Sequence, residues 1–275
     1  MAIKTILVHL ADDEEHLKRL EVALMLAREQ KAHVTALFIT TPIGMPAQIT
    51  GRGASAAYLS EATAQAKIKA EALEQEFKEN CERNNVEFSW IITEGDHLDL
   101  LARHAHAADL VIASQPTYDS FEDRLRMRLP EELALHSGLP VLILPRDSNI
   151  EKIGKRIMIA WKDTRETVRA VRDNISLLVD ADKVFVLAVA PDTGDALSLH
   201  EVADYIKRHG VNVETQHIAN YETSVGETIL DAADSCEADL VVLGAHGHSR
   251  LRELIMGSVT DHIVKNTELP VVISH

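Results

Sequence analysis

Apolar positions along the chain fall into two rhythms. Short runs of Val, Ile and Leu, such as "TILVHL" at 5–10, "DLVIAS" at 109–114, "RIMIAW" at 156–161 and "LVVLG" at 240–244, alternate with longer stretches of helical period. Runs apolar on successive positions predict strands buried on both faces, hence a parallel sheet wrapped by helices through right-handed crossovers. In the later part of the chain, strands are expected at "RIMIAW", "KVFVLAV", "VNVETQHI", "ADLVVLG" and "PVVIS", and helices over 165–179, 196–209, 224–236 and 258–266.

The pattern is itself repeated. "AADLVIASQP" at 107–116 returns as "EADLVVLGAH" at 237–246, and "GLPVLILP" at 138–145 as "ELPVVISH" at 268–275, both displaced by 130 residues. The first strands, entered from Lys4 and Lys155, match at a displacement of 151. The extra residues of the first copy fall in "TPIGMPAQITGRGASAAYLSEAT", which reads as a loop leading into a helix. The polar segment "PRDSNIEKIGKR" separates the copies, giving expected domains at 1–147 and 153–275. Each is expected to be a small doubly wound α/β domain with a parallel five-stranded sheet, in flavodoxin-like layering. Its ligand crevice would lie outside the carboxyl ends of the strands, where strand order reverses.

Composition narrows the function. The formal charge of −15 divides as −8 over residues 1–147 and −7 over the remainder, so neither half supplies the basic stripe that a nucleic acid needs. The opening "MAIKTILVHLADDEEH" turns acidic after one short apolar run, and no segment approaches the length of a membrane span. A cytoplasmic location without membrane contact is the expectation. Cys81 and Cys236 sit in helical patterns, which fits a reducing compartment. The fourteen histidines include no HExxH and accompany no CxxC, so no metal site is expected. Trp161 is read as core, and no hydroxyl has an evident base beside it, so no catalytic residue is assigned.

The candidate chemistry lies in "GAHGHSRLRELIMGSVTD" at 244–261. Gly244 and Gly247 follow a strand, and Gly257-Ser258 opens the last helix, with Ser258 and Asp261 spaced for a capping box. A helix start offers unpaired N–H groups and partial positive charge, and glycines let backbone approach phosphate oxygens. The arrangement suits a triphosphate; the plainer reading is turn geometry with an ordinary cap.

The spacing G-x2-G-x9-G-S, followed by Val259-Thr260 and the strand "LPVVIS", resembles the ATP-binding signature of the universal stress protein family, and the resemblance covers the whole chain as two tandem copies. It implies adenine nucleotide alpha hydrolase-like layering and ATP or a related adenine nucleotide, with magnesium as a candidate companion. Phosphates and ribose would meet Gly244, His246, Gly247, Gly257, Ser258, Val259 and Thr260, and the base would meet backbone at Val189. The family's strand-one turn begins with aspartate, whereas here Lys162 takes that place and Asp163 follows. Either Asp163 serves one position late, or the base and ribose end is altered and Lys162 meets a phosphate or nothing. The first copy has Ser114 at the first glycine position and no further glycine at the right spacing, so it is expected to lack the nucleotide site and act as a partner domain. The resemblance thus implies a stress-response regulator holding nucleotide in its second domain. It also implies a pseudo-dimer of the two copies through their last strands, and a homodimer. A nucleotide-free scaffold and a slow ATPase are the alternatives.

Overall fold

The computed structural model describes residues 2–11, 13–40, 56–116, 129–146, 148–190, 194–245 and 257–275. The chain divides into two compact units, residues 3–137 and residues 138–275.

The first unit runs β1 (Thr5–Leu10), α1 (His16–Gln30), β2 (His33–Ile39), α2 (Ala56–Arg83), β3 (Phe88–Thr93), α3 (His97–Ala105), β4 (Leu110–Ser114) and α4 (Leu129–Ser137). Its strands lie in the order β3-β2-β1-β4, every pair parallel, with Ile6 facing Val34 on one side and Leu110 on the other. Strand order reverses at β1, because the chain first moves to β2 and later returns to the opposite flank as β4. Ile6, Leu7, Val8 and Leu10 are all buried, as a strand covered on both faces requires.

The second unit contains β5 (Val141–Leu144), β6 (Arg156–Trp161), α5 (Arg165–Asp173), α6 (Ile175–Val179), β7 (Lys183–Val189), α7 (Gly194–Lys207), β8 (Val213–Ile218), α8 (Val225–Ser235), β9 (Leu240–Gly244), α9 (Ser258–Asn266) and β10 (Val271–Ser274). Its strand order is β5-β10-β9-β6-β7-β8, parallel from β10 to β8. The reversal here falls at β6, between β7 and β9. By sequence β5 closes the first repeat, yet it packs in this unit, paired antiparallel to β10 with Leu142 opposite Val272. The two segments that end the repeats therefore meet, and each repeat contributes five strands to a mostly parallel α/β architecture.

One expected helix is divided. The stretch expected as a single helix over 165–179 ends at Asp173 and restarts at Ile175. Asn174 between them is buried, and its side-chain amide donates to the Ala170 carbonyl at 2.8 Å. An amide side chain bonding the backbone one turn back competes with the helix ladder, and the helix breaks there. The other three expected helices of this repeat are present within two residues of their expected ends.

Candidate functional site

In the second unit the ends of three adjacent parallel strands lie side by side. Trp161 at the end of β6 faces Ala188 of β7, and Ala160 faces Leu243 of β9. Val189, the pair Lys162-Asp163 and Gly244 are thereby collected along one sheet edge. Lys162 and Asp163 are exposed, and Thr164 then caps α5, its own N–H donating back to the Lys162 carbonyl at 2.7 Å and its side chain accepting from the Thr167 amide. Trp161 is buried beside this edge. It is 6% exposed and its indole N–H donates to Ser198 Oγ at 3.0 Å, which fixes the ring against α7.

Gly244 is explained by proximity. A Cβ built there would lie 2.6 Å from the Thr167 nitrogen and 2.7 Å from the Glu166 carbonyl carbon, so the first turn of α5 lies directly over the end of β9. The glycine admits a helix backbone, a role that its place in a phosphate motif did not reveal.

Two contacts hold α9 in position. Thr260 is buried and donates from its hydroxyl to the Gly244 carbonyl at 3.4 Å, fastening the first turn to the end of β9. At Gly226 in α8, an added Cβ would lie 2.7 Å from the His262 ring, so α8 and α9 pack with nothing larger than glycine between them. Beside them Ala245 donates to the Ser274 carbonyl at 2.7 Å, and His275 Nδ1 donates to the Ala245 carbonyl at 2.9 Å.

The expected capping box is not formed. The N-cap of α9 is Gly257, with φ −59° and ψ 143° and no side-chain cap, and Ser258 is the first helical residue. A capping box needs the hydroxyl at the N-cap itself, where it accepts from the amide three residues on; Ser258 stands one position inside the helix. Asp261 accepts instead from Lys265 Nζ at 2.8 Å. The start of α9 thus has a glycine at its N-cap, which supplies no side-chain cap, beside an exposed Ser258. His246 and Gly247, with the loop as far as 256, lie outside the described residues.

The matching edge of the first unit is built differently. Ser114 stands where the second repeat has Gly244, and Arg19 of α1 stands where it has Ala170. Arg19 is 2% exposed; its Nη1 donates to Ser114 Oγ at 2.7 Å and its Nη2 to both Asp13 oxygens at 2.8 Å. His9, buried in β1, lies 3.3 Å from His97 at the start of α3, nitrogen to nitrogen. Burial holds His9 well below the ordinary imidazole pKa, and the charges of Arg19 and His97 push it the same way. This cluster was missed in the sequence, although superposing the repeats at a displacement of 151 sets Arg19 against a buried alanine, which is a visible signal.

Among the described residues no group of three or more His, Cys, Asp or Glu is arranged to hold a metal ion, and no helix is long and apolar enough to cross a membrane. The universal stress protein family matches residues 2–145 and 155–275. The chain belongs to that family. A universal stress protein of Methanocaldococcus jannaschii is 24% identical over 146 residues, covering 46% of this chain and 84% of that protein. One from Synechocystis is 31% identical over 67 residues, covering 24% of this chain and only 22% of its own length. Among solved structures, a universal stress protein from Archaeoglobus fulgidus matches with a TM-score of 0.80 at 16% identity, covering 98% of this chain and 95% of that one. A universal stress protein solved in complex with cAMP matches 52% of this chain and 98% of its own at 18% identity, with a TM-score of 0.41. The tandem arrangement of two universal stress protein domains is thus present in this chain.

Proposed function

We propose that the second repeat, residues 153–275, binds ATP or a related adenine nucleotide across the ends of β7, β6 and β9, and that the chain is a cytoplasmic stress-response regulator governed by that occupancy. The observation that carries the reading is the start of α9, with glycine rather than a capping side chain at its N-cap and held against Gly244 by the Thr260 hydroxyl. The amides of Ser258, Val259 and Thr260 are assigned to phosphate oxygens, with Gly257 allowing close approach and His246 and Gly247 completing the loop. Thr260 contributes its amide, since its hydroxyl is engaged by the Gly244 carbonyl. Lys162, exposed at the end of β6, is assigned to a phosphate, Asp163 to the ribose and the Val189 backbone to the base. Magnesium enters with the nucleotide, coordinated chiefly by phosphate oxygens and water.

The first repeat, residues 1–147, is assigned no nucleotide; Arg19, Asp13 and Ser114 fill the corresponding edge. A homodimer of chains is part of the same reading and is checked by light scattering with and without ATP.

Isothermal titration with magnesium and ATP tests the proposal. One nucleotide per chain, lost in Gly257→Asp, is the expected result. Gly244→Ala is a poor probe, because it strikes α5 before it touches any ligand. Absence of binding in the unaltered protein would turn the reading to a nucleotide-free scaffold, for which Lys162 at the family's aspartate position is the motive. Phosphate release that persists in Gly257→Asp would remove the slow-ATPase alternative.

A further inference from the structure

We propose that the edge of the first unit is a carboxylate-binding site, formed by Arg19 and Ser114, in which Asp13 is a built-in occupant that a small organic carboxylate displaces. A guanidinium binds a carboxylate best along one edge, two parallel N–H groups meeting two oxygens. Asp13 does not use Arg19 in this way. Both of its oxygens lie on Nη2 alone, and Arg19 Nε, buried and on the same edge as Nη2, has no hydrogen-bond acceptor among the described residues. A buried donor left unpaired is costly, and the tethering of Asp13 accounts for it. Asp13 Oδ1 also accepts from the Glu15 amide at 2.9 Å, and the Asp13 carbonyl accepts from His16 Nδ1 at 2.6 Å, which holds the residue in its turn.

A free carboxylate carries no such tether. It meets Nε–H and Nη2–H in parallel while Nη1 keeps Ser114. Asp13, whose side chain is 36% exposed, turns out into water, giving up its bonds to Arg19 and the Glu15 amide. The place is also the one where a doubly wound sheet receives ligands, at the reversal between β1 and β4. His9, whose pKa burial and then the Arg19 charge lower, packs its ring against His97 at 5.4 Å, and neither histidine adds a competing anion.

The test titrates the full chain with malonate, read by calorimetry and by the NMR signal of the Arg19 Nε–H. In Asp13→Ala, malonate is expected to bind about tenfold or more tightly than in the unaltered protein, and to move the Nε–H signal downfield as the new hydrogen bond forms. Asp13→Asn keeps an oxygen for the Glu15 amide, guards against loss of the turn, and should change affinity in the same direction. Arg19→Met in the Asp13→Ala background should abolish binding. Equal malonate affinity with and without Asp13, or an Nε–H signal that malonate leaves in place, overturns the proposal. Titration with ATP on the same samples reports the second repeat separately, so either site can fail while the other stands.

Discussion

The two strand edges answer one architectural question in opposite ways. In the first repeat the edge is filled by a buried arginine that donates through its two terminal nitrogens to a serine and an aspartate. In the second, the matching positions are Ala170 and Gly244, and the first turn of α5 closes down until only a glycine fits beneath it. The reason is visible at the helix starts: α5 begins at Arg165, whereas α1 begins at His16, two residues later in the repeat register. Delaying the helix leaves room for charged side chains, and advancing it brings backbone to the strand end. One scaffold thereby supports a self-occupied edge and an edge whose nearest donors are backbone amides.

The sharpest way to break the contrast is Gly244→Ala. Its methyl group meets backbone that cannot rotate aside, so a loss of about 3 kcal/mol in chemical denaturation is expected, against about 1 kcal/mol for Ser114→Gly. An unchanged midpoint for Gly244→Ala would show that α5 is free to retreat. Gly257→Asp comes next: a carboxylate at the start of α9 should weaken ATP about 100-fold with little loss of stability, because Gly257 precedes the helix.

Asp13→Ala strands the buried Arg19 and should cost about 2 kcal/mol. Arg19→Met leaves behind only a carboxylate already in contact with water and should cost about half as much. Reversal of that order would mean that Arg19 is better hydrated than its burial indicates.

His9 gives a smaller, pH-dependent difference between the repeats, its counterpart being Ala160. Its folded pKa lies below the ordinary 6.5, so the unfolded chain takes up the proton first. Stability should be at full value above pH 6.5 and fall as the pH drops toward the folded pKa, by at most about 1.4 kcal/mol per pH unit. His9→Ala should flatten that decline, and denaturation curves at pH 7.5 and 5.5 decide it. The smallest effect belongs to Lys162→Ala. The residue is exposed, so stability should stay within about 0.5 kcal/mol, while ATP affinity falls severalfold if the ammonium meets a phosphate.

Much of this architecture was legible in the sequence. Strands covered on both faces leave unbroken apolar runs, and "DLVIAS" against "DLVVLG" makes the duplication plain. Gly244, Gly257 and Ser258 could be singled out because their spacing is local. What stayed hidden depends on contacts between distant segments or on a single position. The glycine at 244 answers to Thr167, Arg19 answers to Ser114, and the cap of α9 differs from expectation by one residue. Asn174 could be read as a helix residue until its side chain was seen bonding the Ala170 carbonyl.

The antiparallel pair of β5 and β10 has a consequence for the order in which the chain matures. During synthesis the segment Val141–Leu144 leaves the ribosome well before its partner Val271–Ser274, with the whole second repeat still to be made. Until then the edge of β5 that β10 will cover is a row of unpaired amides and carbonyls, open to another nascent chain. Only the strand after the final helix described here ends this exposure, so a chain cut short near residue 265 would carry nearly all of these helices and still be adhesive.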